Sequence, residues 1–248
     1  MTNRRQITAE LLIVFALSLG ASAVYSLVSL IAKLTAKAGL AGQTTLINGS
    51  MAQREWLDAT YQLLSVFFGL APVALALYLI WQTNGKPFSS IGLTLVRPRF
   101  WISRGFLLAA AIGIPGIGLY IVARLLGLSS KIVPAELPNY WWAVPVLLLA
   151  AVRAALVEEV LVVAYLFDRL TKIGIGERTQ LLISAGLRGC YHLYQGFGGF
   201  VGNVIMGLVF GWCYKKWGRV MPLVIAHFIL DAVSFVGYAL LGKSLPLP

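Results

Sequence analysis

Apolar residues run along the chain in seven long stretches parted by polar gaps: 8–32, 56–82, 101–127, 139–168, 179–195, 200–217 and 220–241. An α-helix rises 1.5 Å per residue, so about 20 apolar residues cross the ~30 Å hydrocarbon layer of a bilayer. The pattern predicts an all-α fold, a multi-pass transmembrane helical bundle of about seven spans. The stretches 179–195 and 200–217 are short and glycine-rich, and one of them is expected to be tilted or partly re-entrant. Such a segment is tolerated only where it packs against protein. The polar gap 83–100, with Asn84-Gly85, Pro87 and Pro98, is the best boundary. It divides an N-terminal part, 1–100, from a transmembrane core, 101–248. Gly199, Asn203, Gly207 and Gly211 recur every four residues, a small-residue stripe on one helix face that lets a neighbouring helix come close.

Composition excludes a soluble domain. Of 248 residues 59% are hydrophobic, mean hydropathy is +0.83, and only 12% are charged, against about 25% in soluble domains. The 20 Lys and Arg outnumber the 9 Asp and Glu. Because the basic residues lie mostly in the gaps between apolar runs, they suit anionic headgroups, and no nucleic acid is expected as partner. With a cytoplasmic N-terminus, the inside gaps carry 12 basic residues and the outside gaps five, namely Lys33, Lys37, Arg54, Lys131 and Lys243. That asymmetry predicts a cell-membrane protein with N-terminus cytoplasmic and C-terminus outside. Arg124, Arg153 and Arg188 lie within spans and stay out of the count. Arg4 and Arg5 followed by Ala21-Ser22-Ala23 outline a signal peptide, but apolar residues continue to Ala32, so a retained first helix is expected. Cys190 and Cys213 lie in apolar runs and read as small buried hydrophobes.

The informative residues are the polar ones inside spans. Glu158 and Glu159 are adjacent in the fourth, His192 follows Arg188 by one turn in the fifth, and His227 precedes Asp231 by one turn in the seventh. An acid in hydrocarbon costs a few kcal/mol by insertion scales. Adjacent acids point ~100° apart on a helix, so the two are expected to meet different partners. A buried structural ion pair or a dimer contact is the simpler alternative for either one. His192 and His227 are the only histidines, and both stand beside charged residues, which points to a shared cavity. A Glu can take a proton from water, a His can orient that water, and a second His with a short polar neighbour can donate to a developing oxyanion. That is the chemistry of peptide hydrolysis. Ser184 and Ser234 show no triad arrangement, Cys190 points away from His192, and there is no HExxH, GxGxxG or P-loop.

These residues, in this order, resemble the motifs of the CPBP family of CAAX-processing and bacteriocin-processing (Abi) membrane proteases. That pattern has a Glu-Glu pair with an arginine four residues after the second Glu, an aromatic four residues before a His, and then His-x-x-x-Asn/Asp. Glu158-Glu159, His192 and His227-Phe228-Ile229-Leu230-Asp231 match it; Val163 stands at the arginine position and Arg188 at the aromatic position. The resemblance covers roughly residues 140–240. It implies an intramembrane endopeptidase acting on a membrane-associated or lipidated peptide. It further implies Glu158 as general base, His192 as its water-positioning partner, His227 and Asp231 on the oxyanion side, and Glu159 in support. Arg188 is expected to supply, from another helix, the cation absent at Val163. Metal-free catalysis is the expectation; Glu158, His192 and His227 are the ligands if zinc is bound. The alternative is a catalytically silent family member that binds partner proteins in the membrane. A proton-coupled transporter is disfavoured, because no pair of matching halves is found.

Overall fold

The computed structural model describes residues 4–242, and Lys243 of the charge count lies outside them. The chain is a bundle of helices with little strand. In order these are α1 (Arg4–Ala16), α2 (Leu19–Thr35), α3 (Glu55–Gly69), α4 (Ala71–Asn84), the short α5 (Pro87–Ser90), α6 (Pro98–Leu125), α7 (Ala143–Glu158), α8 (Leu166–Lys172), α9 (Glu177–Tyr191), α10 (Phe197–Trp217) and α11 (Met221–Leu241). Large apolar side chains such as Leu12, Phe67, Leu107, Ile114 and Leu240 stay on the outside of the bundle. In water such a surface would aggregate; in a bilayer it is the surface that faces lipid. The protein is a multi-pass membrane protein.

Helices occupy all seven stretches, but among the described residues four are long and apolar enough to cross a membrane, or five if a bent pair counts as one span. The expected single span 8–32 is that bent pair, α1 and α2, with a 50° angle between them. The bend falls where the Ser18 hydroxyl bonds the Val14 carbonyl at 2.6 Å, two residues before Gly20. A serine and a glycine this close together are a common origin of a kink. The stretch 179–195 yields only the 15 residues of α9, about 22 Å of helix and too short to cross alone.

Two of the polar gaps contain strands. Thr44–Gly49 (β1) and Lys131–Glu136 (β2) pair in parallel, with Thr45 opposite Ile132. Their partners lie far apart in sequence, so no local periodicity announces them. The pair braces the turn after α9. Thr45 and Ser130 hydroxyls meet at 2.6 Å, Ser130 N–H donates to the Gln195 carbonyl at 3.1 Å, and Lys33 reaches both Thr45 and, at 2.5 Å, the Tyr194 carbonyl. At Gly196 φ is +105°, and a Cβ there would lie 2.7 Å from the Leu128 carbonyl oxygen. Only glycine fits that approach.

The small-residue stripe brings α10 against α9. A Cβ on Gly207 would sit 2.8 Å from the Ala185 Cα, and one on Gly211 2.7 Å from Leu181 Cδ2. Overpacking of this kind costs roughly 1–3 kcal/mol. Gly207→Leu should therefore lower the thermal midpoint in detergent by several degrees. Gly237→Ala, with nothing within 4 Å of the added carbon, should leave it level or raise it, since alanine gains up to ~1 kcal/mol of helix propensity over glycine. Equal midpoints for the two variants would contradict the close α9–α10 approach.

Candidate active site

The site begins at a change of helix type. α7 ends at Glu158, and Glu159–Tyr165 form a π-helical segment before α8 resumes the regular turn. The wider i→i+5 turn is rare and recurs at functional sites, where it redirects side chains. Every residue from Glu159 to Tyr165 is buried. The two adjacent acids part company here. The Glu158 side chain keeps 13% of its surface exposed, while that of Glu159 has none.

Glu159 is held by two other helices. Its Oε1 accepts from Arg188 Nη2 of α9 at 2.5 Å and lies 2.6 Å from His227 Nδ1 of α11. Arg188 is fully buried, with its guanidinium 5.4 Å from the ring centre of Phe210. A buried charge is tolerated only when paired; the pairing here runs through the single bond from Arg188 Nη2 to Glu159 Oε1, while Glu159 Oε2 and Arg188 Nε and Nη1 are buried without a hydrogen-bond partner. Val163, at the position where the motif has arginine, is buried in the same apolar cluster as Phe210. The cation thus reaches Glu159 from α9 rather than from the π-helical segment that carries Val163.

Glu158 shares Arg188 and His227 with Glu159, at longer range, and adds Tyr191. Its Oε2 accepts from the Tyr191 hydroxyl at 2.8 Å and lies 3.8 Å from Arg188 Nη1 and 4.0 Å from His227 Nε2. His227 Nε2 is also 3.6 Å from Asp231 Oδ2 on the next turn of α11. His227 therefore links all three carboxylates: Glu159 through Nδ1, Glu158 and Asp231 through Nε2.

His192 lies not within a helix but at the end of α9, which stops at Tyr191. Its Nδ1 is 2.9 Å from the Arg188 carbonyl, one of the carbonyls that the helix end leaves open. Nε2 is thereby left for other work. A groove of about 490 Å³ between α2, α7 and α9 is lined by Glu158 and His192, with Tyr191, Tyr194, Ser26 and Arg153 around them. Ser26 donates to the Tyr191 carbonyl at 2.8 Å, which ties α2 to the end of α9.

The structure thus brings Glu158, Glu159, Arg188, His227 and Asp231 into one connected cluster and sets His192 on the groove that Glu158 lines. Tyr191 and Arg153 were missed in the sequence. Tyr191 sat beside His192 among other aromatics, and Arg153 was set aside with the span-embedded arginines. Among the described residues, no group of three or more His, Cys, Asp and Glu side chains is arranged to hold a metal ion. Cys190 and Cys213 are free thiols, and Cys213 is buried.

Residues 140–233 match the family model described as Rce1-like, type II CAAX prenyl endopeptidase Rce1-like. That segment contains every residue of the cluster, and the match is to the CAAX protease (CPBP) family that the three motifs resemble. The family is a protease family of the membrane, so the match supports a peptidase with a peptide or protein substrate. No curated protein and no solved structure matches the chain.

Removing one partner of a buried ion pair costs about 3–5 kcal/mol, because the other charge stays buried without compensation. Arg188→Leu should destabilise the protein by that amount in reversible unfolding. Arg188→Leu with Glu159→Gln should recover part of the loss, giving a coupling well above the ~0.5 kcal/mol of independent sites. Strictly additive losses would show that Arg188 and Glu159 do not depend on each other.

Proposed function

We propose that this chain is an intramembrane endopeptidase that hydrolyses a peptide bond in a membrane-associated or lipidated substrate, with water activated by Glu158 and His192. The carrying observation is that Glu158 and His192 line one groove while the neighbouring acid, Glu159, is closed off in an ion pair. In this reading Glu158 takes the proton of the attacking water. The Tyr191 hydroxyl fixes the Oε2 atom of Glu158, leaving Oε1 for the water. His192, oriented through Nδ1 by the Arg188 carbonyl, holds the same water with Nε2. The resulting oxyanion needs donors already in place. When His227 carries both protons, Nδ1–H is held by Glu159, and Nε2–H can turn between Asp231 and the oxyanion. Asp231 then orients His227 rather than meeting the oxyanion itself.

Arg188 replaces the motif arginine in this scheme. It fixes Glu159, which in turn fixes His227. The metal-free version is favoured because His227 Nε2 stands 4.0 Å from Glu158 Oε2. Two ligands of one tetrahedral zinc, each at about 2.0–2.2 Å, stand nearer 3.4 Å apart. The N-terminus is placed in the cytoplasm and the protein in the cell membrane, following the distribution of Lys and Arg.

Purified protein in nanodiscs should cleave membrane peptides, and Glu158→Gln should lower kcat by at least about a thousandfold, as expected for loss of the base that activates the nucleophile. His192→Ala and His227→Ala should each cost about a hundredfold or more. Chelators should leave the rate intact; loss of activity on chelation with recovery on stoichiometric zinc would replace Glu-activated water by a zinc mechanism. A wild-type protein that cleaves nothing, with its fold intact, would instead support a silent scaffold.

The exchange of arginine between walls gives its own test. Arg188→Phe should abolish cleavage, whereas Val163→Arg combined with Arg188→Phe, which restores the family motif, should recover activity over the single variant. A double variant no better than Arg188→Phe would sink the idea that the cation was relocated.

A further inference from the structure

Three basic residues at one end of the bundle are seated on aromatic rings: Arg104 near the start of α6, Lys216 in the last turn of α10, and Arg219 just before α11. The Arg104 guanidinium stands 4.1 Å from the ring centre of Phe100, 5.2 Å from that of Trp217 and 5.7 Å from that of Trp101. Arg219 stands 5.4 Å from the same Trp101 ring, and Lys216 Nζ 4.9 Å from that of Trp212. Trp101 and Trp217 have their ring centres 6.4 Å apart, so α6 and the end of α10 meet here. Arg104 and Lys216 both lie close enough to the Cys213 thiol to act on it electrostatically, which puts cations of two helices in one neighbourhood. Arg219 is held by the loop before α6. Its Nη1 donates to the Thr94 hydroxyl at 3.0 Å, and a Cβ on Gly92 would lie 2.5 Å from its Cα. Among the described residues no carboxylate lies within 4.0 Å of these three cations, whereas Arg169, Lys172, Arg188 and Lys215 each have one. The indole Nε1 of Trp101, itself buried, also has no hydrogen-bond partner.

An aromatic face attracts a cation through its quadrupole but leaves the charge unneutralised. Like charges gathered without an acid repel one another, so the cluster calls for an anion from outside the chain. Phe100 and Trp212 are exposed, and α6 and α10, which carry them, are long and apolar enough to cross a membrane. Tryptophans at the ends of spans sit at the level of the lipid headgroups, where the abundant anion is a lipid phosphate. We propose that Arg104, Lys216 and Arg219 bind the headgroup of an anionic phospholipid, whose acyl chains lie against the lipid-facing sides of α6 and α10. The planar guanidiniums suit phosphate oxygens, which they grip through paired N–H bonds, and the ammonium adds a point charge. The rings seat the three side chains before the lipid arrives, which lowers the ordering cost of binding. Free phosphate offers the same chemistry from a different source, and the experiment separates the two. The proposal does not depend on the peptidase reading.

The test is native mass spectrometry of the full chain, released from detergent with added phosphatidylglycerol or phosphatidylcholine of equal chain length. Wild-type protein should bind phosphatidylglycerol at least about tenfold more tightly, since each basic residue near an anionic lipid contributes several-fold. Arg104→Gln with Arg219→Gln should remove the difference. Lys86→Gln with Arg99→Gln takes the same charge from exposed positions outside the cluster and should leave the difference in place. Equal binding of the two lipids by wild type, or an equal loss in the two double variants, would overturn the proposal in favour of diffuse attraction. Should the Arg104 and Arg219 double variant not fold, the single variants Arg219→Gln and Lys216→Gln decide. A preference at least about threefold smaller in each sustains the site, and an unchanged preference overturns it. Millimolar inorganic phosphate should leave bound phosphatidylglycerol in place; its displacement would overturn the lipid assignment in favour of a free anion. Phosphatidylglycerol, and not phosphatidylcholine, should also raise the thermal midpoint of the wild type, and a midpoint that answers alike to both lipids would count against a built site.

Discussion

The buried pair of Arg188 and Glu159 is the constraint on which the rest of the core depends. Each side chain is fully enclosed, and each would cost several kcal/mol if left without the other. The two belong to segments 29 residues apart, and His227 joins them from a third helix. The pair is therefore satisfied only when α9, α11 and the π-helical segment after α7 have all come together. The contact has demanding geometric needs, and the packing around it meets them. Gly207 and Gly211 let α10 close on α9, and Phe210 offers its ring to the guanidinium. A smaller cluster repeats the principle near the end of α8, where the buried Arg169 meets Glu10 at 2.5 Å and Asp168 at 2.6 Å and so ties α1 to α8.

Against this closed pair, Glu158 stands in the opposite condition. It is next in sequence but turned to the groove, where a tyrosine hydroxyl and two more distant nitrogens, of Arg188 and His227, share one of its oxygens. The division of two neighbouring acids into a structural member and an accessible one coincides with the change to a wider turn at Glu159. It also allows one arginine to serve both roles at a distance: direct contact with Glu159 and the field 3.8 Å from Glu158. The strands β1 and β2 complete the arrangement from the far side. They clamp the turn at 193–195 and thereby set the end of α9, on which His192 sits.

Much of this was legible in one dimension because the bilayer is a severe solvent. Seven apolar stretches could be read from hydropathy alone, and each of them contains helix. Glu158, Glu159, His192, His227 and Asp231 could be singled out because polar groups in such stretches are costly and hence purposeful. The likeness to the protease family came from the order of the same residues, and the matching segment 140–233 contains them all. Arg188 could be connected to the glutamates by charge balance alone.

What the sequence determined by itself, then, was the solvent, the helical class and a set of polar residues of the site, all of which depend on local composition and on spacing within one helix. What only the tertiary structure decided was who meets whom. Hydropathy could not show that Glu159 rather than Glu158 takes Arg188, because that choice depends on a π-helical turn stabilised by packing on its neighbours. Nor could it show the bend at Ser18, the parallel pairing of Thr44–Gly49 with Lys131–Glu136, or the end of α9 at Tyr191. The strand pairing and the end of α9 rest on hydrogen bonds between segments far apart in the chain, and such bonds leave no period in the sequence that could announce them.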